Sequence, residues 1–422
     1  MHRFVAALLA VASCASIVQA QTVASPPDSA PPFTLDRALD AAGASSPSLE
    51  AADAGVRAAR AARTVAGLRP NPEVQVDVEN VAGSGPYSGT QNAEITTGLA
   101  LPIELGGKRS ARIAVADSRS LRARLEAAIA LADLRERVTQ AYIAAAAAER
   151  RVEIAVQLAS FADEGFRAAS TRVTAGAASP IEQQRADVQR VSANVALDRA
   201  RREAAVAREN LGRLIGEPVA GPLDTEWFEQ VGGYGPTRPA SADGTLILAA
   251  AEADVATASA QVRLARSQRI PDVTLSAGAR RLSATGDTAA VFGVSIPFPL
   301  FNSGRAALSQ AQAERQAVDA KRRVTVLDTE QALAAAQAEL ANAAATARST
   351  GGPALAAASE AARIARIGYA QGRFSQLDLL DAERTLADTR GAFVDALVAY
   401  HDAEARLAHL TTPAPDVAGT TP

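Results

Sequence analysis

The stretch Leu101-Pro102-Ile103-Glu104-Leu105-Gly106-Gly107-Lys108-Arg109 has a counterpart in the second half of the chain, Ile296-Pro297-Phe298-Pro299-Leu300-Phe301-Asn302-Ser303-Gly304-Arg305. Each copy closes a pair of short alternating segments and opens a very long helical stretch. A duplication on this scale, with strands about as long as a membrane crossing, suggests part of a symmetric tube more than an enzyme.

Working back from the first copy, Val74, Val76 and Val78 alternate with Glu73, Gln75, Asp77 and Glu79, the period of a strand with one apolar and one polar face. A loop at Gly83–Gly89 leads to a second strand through Ile95, Thr97, Leu99 and Leu101. Before the strands, a helix runs from the N-cap Thr34 to about Leu68, where Arg69-Pro70-Asn71-Pro72 stops it. The second half repeats the plan. A helix from about Thr245 to Gln268 ends near Pro271; Val273, Leu275, Ala277 and Ala279 mark one strand, and Phe292, Val294, Ile296 and Phe298 another, across a loop around Gly286. Tilted strands of about ten residues match an outer membrane crossing. Soluble hairpins packed on helices would show the same spacing.

Working forward, no proline interrupts Gly107 to Thr174. At ~1.5 Å per residue this predicts a helix of roughly 100 Å. Ala127, Leu131, Leu134, Val138, Ala141, Ala145, Ala148, Val152, Ala155, Ala159, Ala162, Phe166, Ala169 and Val173 follow steps of four and three. That period of about 3.5 residues predicts a left-handed supercoil with closely approaching neighbours. The chain turns at Ala175-Gly176-Ala177-Ala178-Ser179-Pro180 and returns as an antiparallel helix to about Leu214. The second copy starts near Gly304, is interrupted at Gly351-Gly352-Pro353, turns near Gly372 and returns to about Leu410. The reading therefore places a signal peptide at 1–20, a disordered leader at 21–33 and a first repeat at 34–215. A linker or equatorial element follows at 216–244, with Trp227 and Phe228, then a second repeat at 245–410 and a flexible tail at 411–422.

With 422 residues, a net charge of −3 and 4% aromatics, the chain lacks the basic surface that nucleic acid demands. One cysteine excludes a disulfide framework, and three histidines with one methionine leave few ligands for a transition metal. Arg3, the apolar run Phe4–Ala12 and Val18-Gln19-Ala20 predict export with cleavage before Gln21; Val11-Ala12-Ser13-Cys14 also resembles a lipidation box. Beyond that leader no apolar run reaches the ~18 residues of a transmembrane helix, so any membrane crossing must be made by strands. No Ser/His/Asp constellation, phosphate loop or metal-ligand spacing is present, and neither catalysis nor a cofactor is expected.

Four strands cannot close a barrel, and an open edge in lipid leaves backbone groups unsatisfied at several kcal/mol each. Two copies would give about eight strands with a filled interior; three give about twelve and a lumen. The expected fold is mainly α with a small β part. Long antiparallel coiled-coil hairpins form an α-barrel, and four strands per chain contribute to a trimeric, twelve-stranded transmembrane β-barrel.

This two-copy layout resembles the TolC-like outer membrane efflux family over nearly the whole mature chain. The Glu104-Leu105-Gly106-Gly107-Lys108-Arg109 hinge is similar to that of the CzcC-like heavy-metal branch. The resemblance implies a homotrimer in outer membrane lipid with an α-barrel crossing the periplasm. It also implies docking to a periplasmic adaptor and to a proton-driven inner-membrane pump of the resistance-nodulation-division (RND) class. The implied function is a passive, gated conduit for divalent metal cations such as cobalt, zinc or cadmium. The same channel could serve drugs or secreted proteins, and a soluble periplasmic coiled-coil adaptor would account for the hairpins though not for the strand pairs.

The segment Tyr369–Ala382 resembles the periplasmic tip of such channels. It implies gate roles for Tyr369, Asp378 and Asp381, and for Glu182 at the matching turn of the first copy. Asp378 and Asp381 are i, i+3 neighbours, and threefold symmetry would make a ring of carboxylates with raised pKa values; an ordinary solvated helix face has the same spacing. Phe374, beside Arg373, stands where the family has an arginine. Gly176 and Gly372 suit tight tips, and with Val173, Pro180, Phe374 and Leu377 they are candidates for adaptor docking. The strand-to-helix hinges are Gly106, Gly107, Lys108 and Arg109, and Gly304 and Arg305. Lys108 and Arg109 either meet lipid headgroups or are solvated charges at a helix start. His401 and His409, at i, i+8, have a structural or solvent role in preference to a metal.

Overall fold

The computed structural model describes residues 32–232 and 241–415. The signal peptide with Cys14, most of the leader, 233–240 and 416–422 lie outside the described residues.

Helix α1 (Leu35–Ser45) starts where Thr34 accepts the Arg37 N–H, and α2 (Pro47–Ala66) follows after a break at Ser46. The sequence reading had one helix here. Pro47 has no N–H to continue α1, but its fixed φ suits the first position of a new helix. Strands β1 (Glu73–Glu79), β2 (Glu94–Ile103), β3 (Val273–Leu282) and β4 (Thr288–Ser295) form one antiparallel sheet in the order β1-β2-β3-β4. The two repeats therefore join at β2–β3, with Leu99 opposite Ala277. β4 ends at Ser295, short of the expected Phe298, because Pro297 and Pro299 carry no N–H for a ladder.

Helix α3 (Lys108–Thr174) runs unbroken for 67 residues and α4 (Pro180–Ile215) returns along it. All fourteen positions of the 3.5-residue seam are buried or half-buried in the single chain. Helix α5 (Thr225–Glu229) lies in the segment between the repeats, and α6 (Leu246–Ser267) is capped by Thr245. Helix α7 (Arg305–Ser349) passes through a π-helical turn, Thr350–Ala354, directly into α8 (Leu355–Ala370); α9 (Gln376–Leu410) returns. The expected interruption is thus a widened turn within a continuous rod. Among the described residues no helix is long and apolar enough to cross a membrane.

The largest core lies at mid-height. Tyr142, Phe33, Phe228, Leu211, Ile215 and Leu397 are buried there. The Tyr142 hydroxyl donates to Phe33 O (2.7 Å) and accepts the Asp224 N–H (3.0 Å), which ties α3 to both flanking segments. Burial pushes that hydroxyl up to about 12; the hydrogen bond from the Asp224 N–H acts against this, and the charges of Asp224 and Glu149 add a smaller upward push. Two boundary expectations are corrected here. Phe33 is fully buried and bridges Leu223, so the last residue of the supposed leader is part of the core. Residues 411–415 are fastened to the start of α6, with the Leu246 N–H donating to Thr412 O and the Ala414 N–H to Gly244 O.

From top to bottom the chain is one layer. α2 packs on α3, α3 on α6 and α6 on α7; lower down α4 packs on α3, α3 on α9, and α9 on α7 and α8. One lateral side is β1, α2 and α4, and the other is β4, α7 and α8.

Candidate functional site

The strand register sorts side chains onto two faces. One carries Val74, Val76, Val78, Ile95, Leu99, Leu101, Leu275, Phe292 and Val294, all apolar and exposed, with Thr97 and Arg281 among them. The other carries Glu73, Gln75, Asp77, Glu79, Glu94, Thr96, Thr274, Ser276 and Arg280. On the polar face Arg280 spans three strands, reaching Glu94 on β2 (2.8 Å), Glu79 on β1 (3.1 Å) and the Thr96 hydroxyl (2.9 Å). Gly98 and Gly278 sit opposite each other on this face, and a Cβ at Gly278 would lie 2.8 Å from Gly98 Cα. Without side chains the two backbones approach closely there.

The first strand-to-helix hinge is an ionic clamp. Gly107 caps α3 with φ +72°, and a Cβ at Gly106 would meet Ile270 at 2.8 Å. Lys108 Nζ is 2.7 Å from Asp272 Oδ1, which also accepts the Leu105 N–H at 3.0 Å. Arg109 Nε donates to Gly67 O (2.6 Å), and Arg112 pairs with Glu104 through both nitrogens while reaching Leu68 O. The Arg112 hydrogen bond holds the Glu104 carboxyl below the usual carboxylate range. At Asp272 burial pushes upward, but the hydrogen bonds from Lys108 and the Leu105 N–H outweigh it and the carboxyl is lowered. Lys108 is thus a half-buried, paired cation rather than a solvated one, while Arg109 stays exposed; between them they fasten the start of α3 to the ends of α6 and α2. The second hinge has no such clamp. Gly304 caps α7 at φ +70°, Arg305 is exposed, and the preceding Ile296, Phe298, Leu300 and Phe301 are bare.

The two tips are built alike. Gly176 and Gly372 both adopt φ +69°, and Ala177 and Arg373 donate N–H groups back to Arg172 O and Gly368 O at 2.8 Å. That is the left-handed helix end which glycine supplies at least cost. Ser375 then caps α9 in a capping box with Asp378, whose carboxylate accepts both the Ser375 N–H and its hydroxyl. Within the single chain these bonds hold the Asp378 carboxyl below its usual range. Ser179 makes no matching side-chain cap. Glu182 instead has its Oε2 buried without a partner, while its backbone O accepts from Gln376 Nε2 at 3.3 Å.

The structure brings Tyr369 under the Arg172 guanidinium (5.2 Å to the ring centroid), joining the two hairpins near their tips. Asp381 is exposed beside a cavity of about 470 Å³ between the hairpins, one that Tyr369, Gln376 and Leu377 also line. Val173 is half-buried; Pro180 and Leu377 are exposed. Phe374 lays its ring on Gly368, where a Cβ would lie 2.6 Å from Cε2. Sequence reasoning missed Gly368. It also missed the bidentate pair of Arg366 with the buried Glu383, which staples α8 to α9. Their separation of 17 residues matches no single-helix spacing. His401 Nε2 contacts Phe228 O (2.9 Å) under a stacked Trp227; His409 Nε2 meets Asp133 and its Nδ1 faces Glu136. Among the described residues no group of His, Cys, Asp and Glu converges on a metal position.

A four-stranded amphipathic sheet joined to long paired helices, with an open strand edge at each side, is a wall segment of a tube that crosses a membrane on strands. A family model described as outer membrane efflux protein matches residues 38–217 and 245–412. The cobalt-zinc-cadmium resistance protein CzcC of Cupriavidus metallidurans is 32% identical over 378 residues, 88% of each chain. The nickel and cobalt resistance protein CnrC of the same organism is 31% identical over 294 residues, 69% of each chain. Among solved structures, a membrane protein from Pseudomonas aeruginosa superposes with a TM-score of 0.76 at 21% identity, covering 90% of both chains. The chain belongs to the outer membrane efflux protein family. It resides in the outer membrane, with its helical hairpins extending into the periplasm.

Proposed function

We propose that three copies form a passive channel in which the sheets close a twelve-stranded barrel and the hairpins continue it as an α-barrel. The channel is the outer membrane component of a tripartite efflux system, joined to a periplasmic adaptor and an inner-membrane RND pump, and it exports divalent heavy-metal cations. The observation that carries the reading is the sheet with unpaired edges at β1 and β4 beneath an uncovered apolar face. In lipid such edges cost several kcal/mol per unsatisfied group, and pairing β4 with β1 of the next copy removes that cost around the ring. The same two lateral sides carry bare apolar stripes lower down: Ile181, Val188, Val191 and Val195 on α4, and Ile364 and Ile367 on α8. Mutual burial of these stripes closes the helical ring.

Within this reading Tyr369, Asp378, Asp381 and Glu182 form the periplasmic gate. Val173, Gly176, Pro180, Gly372, Phe374 and Leu377 present the tips to the adaptor. Support for metal cargo comes from the metal-resistance relatives and from the polar sheet face, where Glu73, Asp77, Glu79 and Glu94 outnumber Arg280. Inside a ring these carboxylates concentrate cations. The channel supplies no energy; adaptor and pump open the tip.

The test is metal tolerance of a deletion strain, for zinc, cobalt and cadmium beside dyes and antibiotics, with the gene restored as control. Selective metal sensitivity is expected. Sensitivity confined to organic compounds would keep the channel and overturn the metal assignment.

A further inference from the structure

The charged side chains of the polar sheet face are unevenly committed. Glu79 ends β1 and Glu94 opens β2, directly opposite each other at the end of the sheet farthest from the helices. With the hairpins in the periplasm, that end is the outer mouth. Two carboxylates opposed across neighbouring strands repel, and their Cβ atoms are only roughly 5 Å apart. Such a pair is within reach of one divalent cation, since zinc takes carboxylate oxygens at about 2 Å.

Arg280 of β3 occupies that pair. All three guanidinium nitrogens are engaged: Nη1 with Glu94 (2.8 Å), Nη2 with Glu79 (3.1 Å) and Nε with the Thr96 hydroxyl (2.9 Å). The other Glu94 oxygen accepts from Asn80 Nδ2 at 3.1 Å, so both of its oxygens are in use. Arginine stays charged at every physiological pH, so the occupancy is permanent. Asp77, opposite Thr96, and Glu73, near the foot of the sheet, are exposed and make no ion pair or hydrogen bond within the chain. Each chain thus leaves two carboxylates of this face open and locks the other two. Repulsion between Glu79 and Glu94 alone does not call for this arrangement, because one neutral residue at either position would remove it without an arginine.

A conducting pore must draw its ion in and also let it go. Open carboxylates along the wall do the first. Paired free carboxylates at the mouth would hold a divalent cation and defeat the second. We propose that Arg280 is a specificity-determining residue of the channel. By occupying Glu79 and Glu94 it keeps the outer mouth from binding the divalent cargo, while Asp77 and Glu73 remain free to attract it. The inference rests on the reading of the polar face as the lining of a metal-cation channel.

The test records potassium current through the full-length protein in planar bilayers while zinc is added on the barrel side alone, remote from the tip. In Arg280→Gln the half-blocking zinc concentration is expected to fall roughly tenfold or more. Arg280→Lys keeps a cation at the pair and should stay within about threefold of the parent. Arg280→Gln with Glu79→Gln and Glu94→Gln removes the freed pair and should restore the parent value. Assemblies with one Arg280→Gln chain among parent chains should shift in the same direction by less, and they keep the test open where the full variant fails to form a barrel. An unmoved half-blocking concentration in Arg280→Gln, or a triple variant as sensitive as the single one, would overturn the proposal. Asp77→Asn separates the two readings, since loss of an open carboxylate should lower the permeability of potassium relative to chloride. If it does so while Arg280→Gln leaves zinc block unmoved, the channel reading stands and the role of Arg280 falls. If Asp77→Asn shifts nothing, the polar face does not line the pore, and both readings fall.

Discussion

Glu383 presents a buried carboxylate whose hydrogen-bonded cation is Arg366, itself half in water. Replacing Arg366 with Met keeps the stem over Phe161 and removes both hydrogen bonds from the carboxylate. Breaking a fully buried pair costs about 3–5 kcal/mol. Exposure of the guanidinium lets water replace part of what is lost, which brings the expectation to about 2 kcal/mol. At ~1.4 kcal/mol per decade, that is roughly a 30-fold rise in the local opening constant of the lower second hairpin. Hydrogen exchange followed by mass spectrometry at pH 7 reads this in peptides from 355–390, with peptides from α6 as the unaffected reference. The double variant Arg366→Met/Glu383→Met removes both charges, and a buried pair replaced by apolar groups of similar size is close to neutral. Its exchange should return to within about threefold of the parent. The reasoning is refuted if the double variant exchanges as fast as Arg366→Met, or if the single change raises exchange less than about threefold.

Gly351→Ala forces a methyl against the Phe393 ring and should destabilise the α7–α8 junction by about 1–3 kcal/mol, with Phe393→Leu relieving part of the loss in the same exchange measurement. Gly176→Ala and Gly372→Ala meet no steric obstacle but must hold φ +69°; each should cost about 1–2 kcal/mol in chemical denaturation, and Asn less than Ala. The hinge carboxyls Glu104 and Asp272 are both lowered in the folded chain, so their contribution is fully present above the ordinary carboxylate range and is lost as pH falls through their depressed values. Thermal stability should therefore hold from pH 7 to about 5 and decline below about 4, with a shallower decline in Asp272→Asn.

Much of the wall was legible because it is periodic. Alternation of Val74, Val76 and Val78 with acids fixes a two-faced strand whatever it pairs with. A seam from Ala127 to Val173 fixes a long supercoiled helix before its neighbour is known. Pro47 and Pro297 were visible too, yet their consequences were underrated. The first split a helix and the second cut β4 short, each through a missing N–H. The tip was legible in composition but not in chemistry. Ser375-x-x-Asp378 is a capping box, and the carboxylate it engages is committed to its own helix start before any neighbouring copy is considered.

Sequence alone determined the duplicated plan, the strand faces, the helix lengths and the glycine turns, because each follows from interactions within a few residues of the chain. Only the tertiary structure decided which charges meet. Arg366 with Glu383, Lys108 with Asp272, Arg280 with Glu79 and Glu94, and Phe393 with Gly351 all join separate elements. Such pairings depend on how helices and strands are set side by side, and many arginines and acids compete for each partner in the unfolded chain. The difference between a clamped first hinge and a bare second one emerges at that level.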